Sequence, residues 1–222
     1  MGVAVTENRA ERLPVDEVTG YRDRRERAEY IYKVYGRYLQ GKVLDVGCGD
    51  AYLRPFVDDY TGVDIVGAPD VRADLDSGVL PFGGATFDCV VCTDVLEHVD
   101  ALHTLFGELL RCTRRYVVLS LPNCWPPVVK RSLLMSKAGV KFYGLPLKKP
   151  MDRHKWFFNI SESVDFIRGV SGSDKASNVE VVKMDVFYGK RWKRIIGRFF
   201  DADRALNNLF GEALWVVLEK RR

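Results

Sequence analysis

The chain has 222 residues, with 34 Lys and Arg against 30 Asp and Glu for a net charge of +4 at pH 7, and five cysteines. That length suits one α/β domain with a full core and is too short for two. No run approaches the roughly 20 apolar residues that span a bilayer, the segment MGVAVTENRAERL lacks the apolar stretch of a secretion signal, and cysteines at 48, 89, 92, 112 and 124 fit no disulfide framework, so a reducing, cytoplasmic setting is expected.

Residues 1–19 are polar and patternless and read as a mobile tail. Met1, Gly2 and Thr6 match the short MGxxx[ST] acylation pattern, which arises often by chance. Arg22–Gln40 carries Ala28, Ile31, Tyr32, Tyr35 and Leu39 at helical spacing, which predicts a helix lying on the following sheet or over its ligand. Lys42–Val46 reads as a strand feeding directly into Gly47, Cys48 and Gly49, a spacing that lets the backbone turn sharply and approach a nucleotide-like ligand. A dinucleotide fingerprint would place a third glycine at 52, where this chain has Tyr52, so a pyrophosphate-binding dehydrogenase is disfavoured. A second apolar run, Tyr60–Ile65, closes on Asp64, an acid placed to take two ribose hydroxyls. Leu102, Leu105, Phe106, Leu109 and Leu110 form the core stripe of a helix over Ala101–Thr113. Asn159 with Glu162 marks a helix start of capping-box type, followed by Val164 and Ile167, and Val179–Phe187 and Ala213–Glu219 read as the last two strands.

Five blocks in order, LDVGCGDA (44–51), GVD (62–64), ADLDSGVLPF (73–82), FDCVVCTDVLEHV (87–99) and VVLSLPN (117–123), resemble the class I S-adenosylmethionine-dependent methyltransferases of the small-domain kind called type 11. The resemblance runs from about Lys42 to Asn123, with a weaker echo at His154 to Ile167. It implies a Rossmann-like α/β methyltransferase fold, a mostly parallel seven-stranded sheet with an antiparallel last strand and helices on both faces, and S-adenosylmethionine as cofactor. The cofactor residues it implies are Asp45, Gly47, Cys48 and Gly49 on the methionine side, Asp64 and Ile65 at the ribose, Asp74 and the backbone at Leu75 at the adenine, and Cys92, Thr93 and His98 after the fourth strand. Asp45 also fits a helix cap, and His98 a helix-start histidine. Asp64 and Asp70 are separated only by a short link containing Gly67, Ala68 and Pro69, whereas a parallel crossover usually needs a dozen residues or more. The helix normally found between the second and third strands is therefore expected to be missing, which leaves the register of Asp74 open by a residue or two. Cys89 and Cys92 form a CxxC, but residues three apart in a strand point to opposite faces, so no metal site is read there and both are taken as core residues.

The domain expected from these elements covers 20–222, with added segments at about 123–155 and 190–210. Residues 111–155 hold eleven Lys or Arg (111, 114, 115, 130, 131, 137, 141, 148, 149, 153, 155) against Asp152 alone, so the rest of the chain is net acidic. Within 123–155 the cations interleave with Trp125, Pro126, Pro127, Phe142, Tyr143 and Pro146. His154, in DRHKWFF (152–158), resembles the histidine that follows the fifth strand in small-molecule methyltransferases and is the candidate general base. A surface histidine in a basic loop is the competing reading. In Lys190–Phe210, Trp192, Ile195, Ile196, Phe199 and Phe200 form a stripe backed by Lys190, Arg191, Lys193, Arg194 and Arg198, as in a helix lying on an anionic membrane or lipid-linked acceptor. The same stripe also fits packing on the protein's own sheet.

Three functions are open at this level. An O-methyltransferase acting on a small, lipid-linked or saccharide acceptor of anionic character is favoured. A nucleic-acid methyltransferase also suits basic residues mixed with aromatics, but the fourth strand ends in CTDVLEH rather than an NPPY-like tetrapeptide. A non-catalytic module that keeps the fold is disfavoured by the intact glycines and Asp64.

Overall fold

A computed structural model describes residues 20–135, 137, 139–150, 152–171, 178–190 and 205–221, the side chains of 205 and 206 excepted. The expected tail over 1–19 and nearly all of the Lys190–Phe200 helix lie outside the described residues. Seven strands, β1 (Lys42–Val46), β2 (Asp59–Asp64), β3 (Val71–Arg72), β4 (Phe87–Thr93), β5 (Thr113–Pro122), β6 (Val179–Phe187) and β7 (Ala213–Lys220), form one sheet in the order β3-β2-β1-β4-β5-β7-β6. The first five run parallel, and β7 is antiparallel to both of its neighbours.

The central strands are apolar at nearly every position because both of their faces are covered. Alternate residues divide between two cores: Leu44, Val46, Val90, Cys92, Leu214, Val216 and Leu218 enter one, and Val43, Cys89, Val91, Ala213, Trp215 and Val217 the other. Cys89 and Cys92 thus sit fully buried on opposite faces of the sheet.

The second core is covered by α1 (Arg24–Tyr35), whose Ala28, Ile31 and Tyr35 are buried. Asp23 caps its start by accepting from the Glu26 amide at 2.9 Å, and Tyr35 stacks on Trp215 with ring centroids 5.2 Å apart. The first core is covered by α2 (Leu102–Cys112), buried at Leu102, Leu105, Phe106 and Leu109, and by α5 (Ile160–Ser171), buried at Ile160, Val164 and Ile167. The capping box of α5 is reciprocal: the Glu162 amide donates to Asn159 Oδ1 at 3.0 Å and the Asn159 amide to Glu162 Oε2 at 2.9 Å. Between β5 and α5 lie α3 (Trp125–Leu134) and the single turn α4 (Val140–Tyr143), and α6 (Ala205–Phe210) precedes β7.

No helix joins β2 to β3; residues 65–70 form a tight link instead. Asp70 holds it closed, its amide donating to the Gly62 carbonyl at 2.9 Å while its carboxylate accepts from the Gly62 amide at 2.8 Å and from Arg54 at 2.8 Å. This clamp lets so short a link return parallel, but only two residues of β3 then pair with β2.

Candidate cofactor and acceptor site

In a parallel sheet the carboxyl ends of the strands flank a crevice where the strand order reverses, here between β1 and β4. Gly47 lies at φ +73° and Gly49 at φ +53°, a backbone region that favours glycine. A Cβ on Gly47 would fall 2.2 Å from Val95 Cγ2, so that glycine also lets the turn after β4 close onto the turn after β1.

Asp64 ties the glycine turn to the end of β2. Its Oδ2 accepts from the Gly49 amide at 2.8 Å, and its Oδ1 from the amides of Ile65 at 2.6 Å and Val66 at 3.1 Å. A carboxylate offers about four lone-pair positions, so a position is left for a ribose hydroxyl. The apolar side chains of Ile65 and Val66 stand exposed beside it, a face suited to a purine ring. Asp45 is buried below the turn, where Tyr60 donates to its Oδ2 at 2.8 Å. Burial raises its pKa to about 6, against the opposing pull of the Tyr60 hydrogen bond and the Arg27 charge. Beside it, burial followed by the charges of Asp45 and Asp64 pushes the half-buried Cys48 thiol up to about 12, so that Cys48 is a neutral wall and not a nucleophile.

Thr93, buried, ends β4. Asp94 follows at φ +53°, pairs with Arg27 of α1 and accepts from the Ser120 hydroxyl at 2.6 Å. The next turn, Leu96–His98, carries His98 toward the segment that enters α5. The structure thus gathers Asp45, Gly47, Cys48, Gly49, Asp64, Ile65, Thr93 and His98 along one edge of the sheet. Cys92 is not part of that edge through its side chain, which lies inside the first core. Leu75 is likewise buried in that core, and Asp74 caps the turn Leu75–Ser77 by accepting from the Asp76 amide at 3.0 Å, so its carboxylate is already partly engaged.

His154 is brought to the same edge by backbone bonds, the amides of Lys155 and Trp156 donating to the Glu97 carbonyl at 2.8 and 3.3 Å. Its ring stands perpendicular to that of His98, with centroids 4.6 Å apart. Tyr143 Oη lies 2.6 Å from its Nδ1. Burial, reinforced by the nearby His98, pushes its pKa down to about 4, so the ring is neutral and weakly basic near pH 7. Glu97, 1% exposed, has a carboxyl pushed well above the ordinary range by burial, and its Oε2 has no hydrogen-bond partner.

Sequence reasoning passed over Glu97, Asp94, Tyr143 and Gly67. Gly67 sits at φ +76° with its backbone against Gly49, whose carbonyl accepts from the Ala68 amide at 2.8 Å. The Gly-Ala-Pro link was the available signal for it.

The basic segment is less free than its composition implies. Arg111, Arg114, Arg115, Lys141 and Lys155 pair with Glu108, Asp88, Glu219, Asp152 and the pair Asp76/Asp100. No helix among the described residues is long and apolar enough to cross a membrane.

The edge therefore fits S-adenosylmethionine on three counts: an open backbone turn, a carboxylate with an acceptor position to spare, and an exposed apolar pair beside it. Residues 14–163 match a family model described as a methyltransferase domain. The fold is shared with a SAM dependent methyltransferase from Archaeoglobus fulgidus, at 19% identity and a TM-score of 0.51 over 89% of this chain and 94% of that one. It is also shared with an S-adenosylmethionine dependent methyltransferase from Mesorhizobium loti, at 17% identity and a TM-score of 0.51 over 87% of this chain and 98% of that one. No curated protein aligns significantly with the sequence. With the family match spanning most of the chain and the sheet edge built to hold the cofactor, the chain belongs to the methyltransferase-domain family and is a class I S-adenosylmethionine-dependent methyltransferase.

Proposed function

We propose that the protein methylates a hydroxyl oxygen of a small, lipid-linked or saccharide acceptor of anionic character. The observation that carries this is the surface of the segment between β5 and α5. There Leu133, Leu134, Met135, Leu145 and Leu147 are exposed on the same stretch as the exposed cations Lys130, Lys137, Lys148 and Lys149. Aliphatic side chains among cations suit an amphiphile with an anionic head, and they outnumber the exposed rings of the segment, Trp125 and Phe157, that a nucleic-acid strand would use as stacking platforms. The amides of Lys155 and Trp156, donating to the Glu97 carbonyl, tie this segment to the sheet edge.

The cofactor, when bound, supplies an electrophilic methyl carbon. The protein's own part is to hold the acceptor oxygen in line with that carbon, which can account for most of the rate because the reaction is a direct displacement. A base of pKa about 4, as at His154, removes a hydroxyl proton only weakly, so positioning dominates.

The test is transfer of labelled methyl from S-adenosylmethionine into a cell extract, followed by separation into lipid, small water-soluble, RNA and protein fractions. Label should appear in the lipid or the small water-soluble fraction as a methyl bound to oxygen. Label confined to RNA or protein would overturn the reading.

A further inference from the structure

Glu97, His98 and His154 bring three metal-ligating atoms to within 4.8 Å of one another, among the described residues the one such group of histidine, cysteine and acidic side chains. We propose that these residues form a binding site for a first-row divalent metal ion, and that its remaining coordination positions take oxygen atoms of the methyl acceptor.

Three features make this a built site and not a chance meeting of side chains. Glu97 is 1% exposed and its Oε2 lacks a hydrogen-bond partner, although a buried carboxyl oxygen left unpaired is costly. An ion would supply the missing partner. Each histidine, in turn, is held at the nitrogen that would face away from the ion. Asp152 Oδ1 lies 2.5 Å from His98 Nδ1, and the Arg153 carbonyl oxygen 3.2 Å from it, so Nδ1 carries the proton and Nε2, 3.4 Å from Glu97 Oε1, is left as a donor atom. His154 Nδ1 lies 2.6 Å from Tyr143 Oη and 3.6 Å from Cys124 Sγ; with the Nδ1 proton donated to the Tyr143 oxygen, Nε2 is the donor atom toward the ion. A ligating histidine normally has its other ring nitrogen fixed by a carboxylate or similar partner in this way. Finally, the backbone bonds from Lys155 and Trp156 to the Glu97 carbonyl lock the two chain segments together, so the ligands do not depend on a mobile loop for their spacing.

Metal–nitrogen and metal–oxygen bonds of about 2.0–2.2 Å place two ligands of one ion about 3–4 Å apart. Separations of up to 4.8 Å close to that with relative side-chain shifts of about 1–2 Å. Two imidazoles and one carboxylate favour zinc, manganese, iron(II) or cobalt over magnesium or calcium. Three protein ligands leave positions open, as in metal sites that act on a bound molecule. A hydroxyl placed there loses its proton to solvent more readily. That last role rests on the methyltransferase reading; the binding of the ion does not.

The test uses the metal-free protein and the metal alone. Cobalt(II) titration followed by visible absorption, with zinc calorimetry, should give one ion per chain. Affinity should drop at least tenfold in Glu97→Gln and in His154→Asn, while His103→Asn, whose side chain packs on Trp156 and Phe166, binds as the parent does. Should a variant fail to fold by circular dichroism, the unsubstituted protein decides: zinc must shift the imidazole nitrogen resonances of His98 and His154 and leave those of His103 in place. No binding, affinity indifferent to folded Glu97 and His154 variants, or shifts at other histidines would overturn the proposal. Cofactor affinity measured on the same metal-free protein shows separately whether the methyltransferase reading stands.

Discussion

Asp45→Asn tests how the buried acid at the heart of the cofactor edge is balanced. Its carboxyl moves from 3.8 to about 6 on folding, chiefly because burial strips water from the charged form. Two pK units correspond to about 3 kcal/mol. Because the folded protein holds this proton more tightly than the unfolded chain, folding is favoured while the group is protonated. The contribution is fully present below about pH 4, declines as pH rises and is gone above about pH 6, so near pH 7 the carboxylate is a net cost of that size. Asparagine cannot ionise and can still accept the Tyr60 hydroxyl bond, 2.8 Å in the parent, through its carbonyl oxygen. Urea denaturation from pH 4 to pH 8 should therefore show the loss of stability between pH 4 and 6 reduced by about 3 kcal/mol in the variant, which should equal or exceed the parent in stability at pH 7.5. Parallel pH profiles for the two proteins, or a variant destabilised at every pH, would refute the reasoning.

Gly67→Ala should abolish cofactor binding by calorimetry and lower the melting temperature, because its Cβ would lie 2.2 Å from the Gly49 carbonyl oxygen at a φ of +76°; left-handed strain of roughly 1–2 kcal/mol adds to the steric clash, and unchanged binding would remove the link from the site. Asp64→Ala removes the acceptor of three backbone amides as well as the ribose position, so cofactor affinity should fall at least tenfold; a variant that binds as tightly as the parent would sink the assignment. His154 is a weak base, so His154→Ala assayed on the metal-free protein should lower turnover by well under the roughly 100-fold that loss of an effective general base costs, with cofactor affinity unchanged; a loss of about 100-fold or more with an altered pH profile would restore the histidine as a base.

The fold was legible where burial on both faces left little choice of residue. β1 at Lys42–Val46 and β6 at Val179–Phe187 coincide with the strands expected from the sequence, and α5 begins where Asn159 and Glu162 cap each other. The missing crossover helix was legible too, because a short link between Asp64 and Asp70 has no room for one. What stayed hidden depends on convergence of distant segments. Glu97 and His98 are neighbours, and neighbouring side chains ordinarily diverge; the backbone bonds from residues 155 and 156 to Glu97, with Asp152 and the Arg153 carbonyl on His98 Nδ1, bring His154 onto them. The basic segment is less free than its composition implies because Asp88, Glu219, Asp76 and Asp100 reach it from other elements, while Glu108 pairs with Arg111 three residues away on α2. The fate of the Lys190–Phe200 stripe falls outside the described residues.

The two halves of the site are built on different physics, and that is why the cofactor was readable and the acceptor was not. The cofactor edge is fixed by the sheet itself: Asp64 bonds across to Gly49, the Gly47 amide donates to the Val63 carbonyl at 2.8 Å, and little can change without breaking strand register. The proposed acceptor wall is instead a segment pinned at few points, among them the bond from the Cys124 amide to the Phe158 carbonyl at 3.0 Å and those onto Glu97. Between these pins it leaves Met135 at 93% exposure, Leu145 at 92% and Leu147 at 107%. Fully burying a side chain of that kind is worth roughly 1.5–3 kcal/mol, so half-burying these three with Leu133 and Leu134 against an amphiphile would yield about 4–7 kcal/mol before the cost of association. Association itself costs at least about 4 kcal/mol, so this burial offsets that cost and leaves at most a few kcal/mol of net attraction. On the proposed reading, apolar contact would add to the attraction of the acceptor, while Lys130, Lys137, Lys148 and Lys149, exposed on the same stretch, would orient its anionic end.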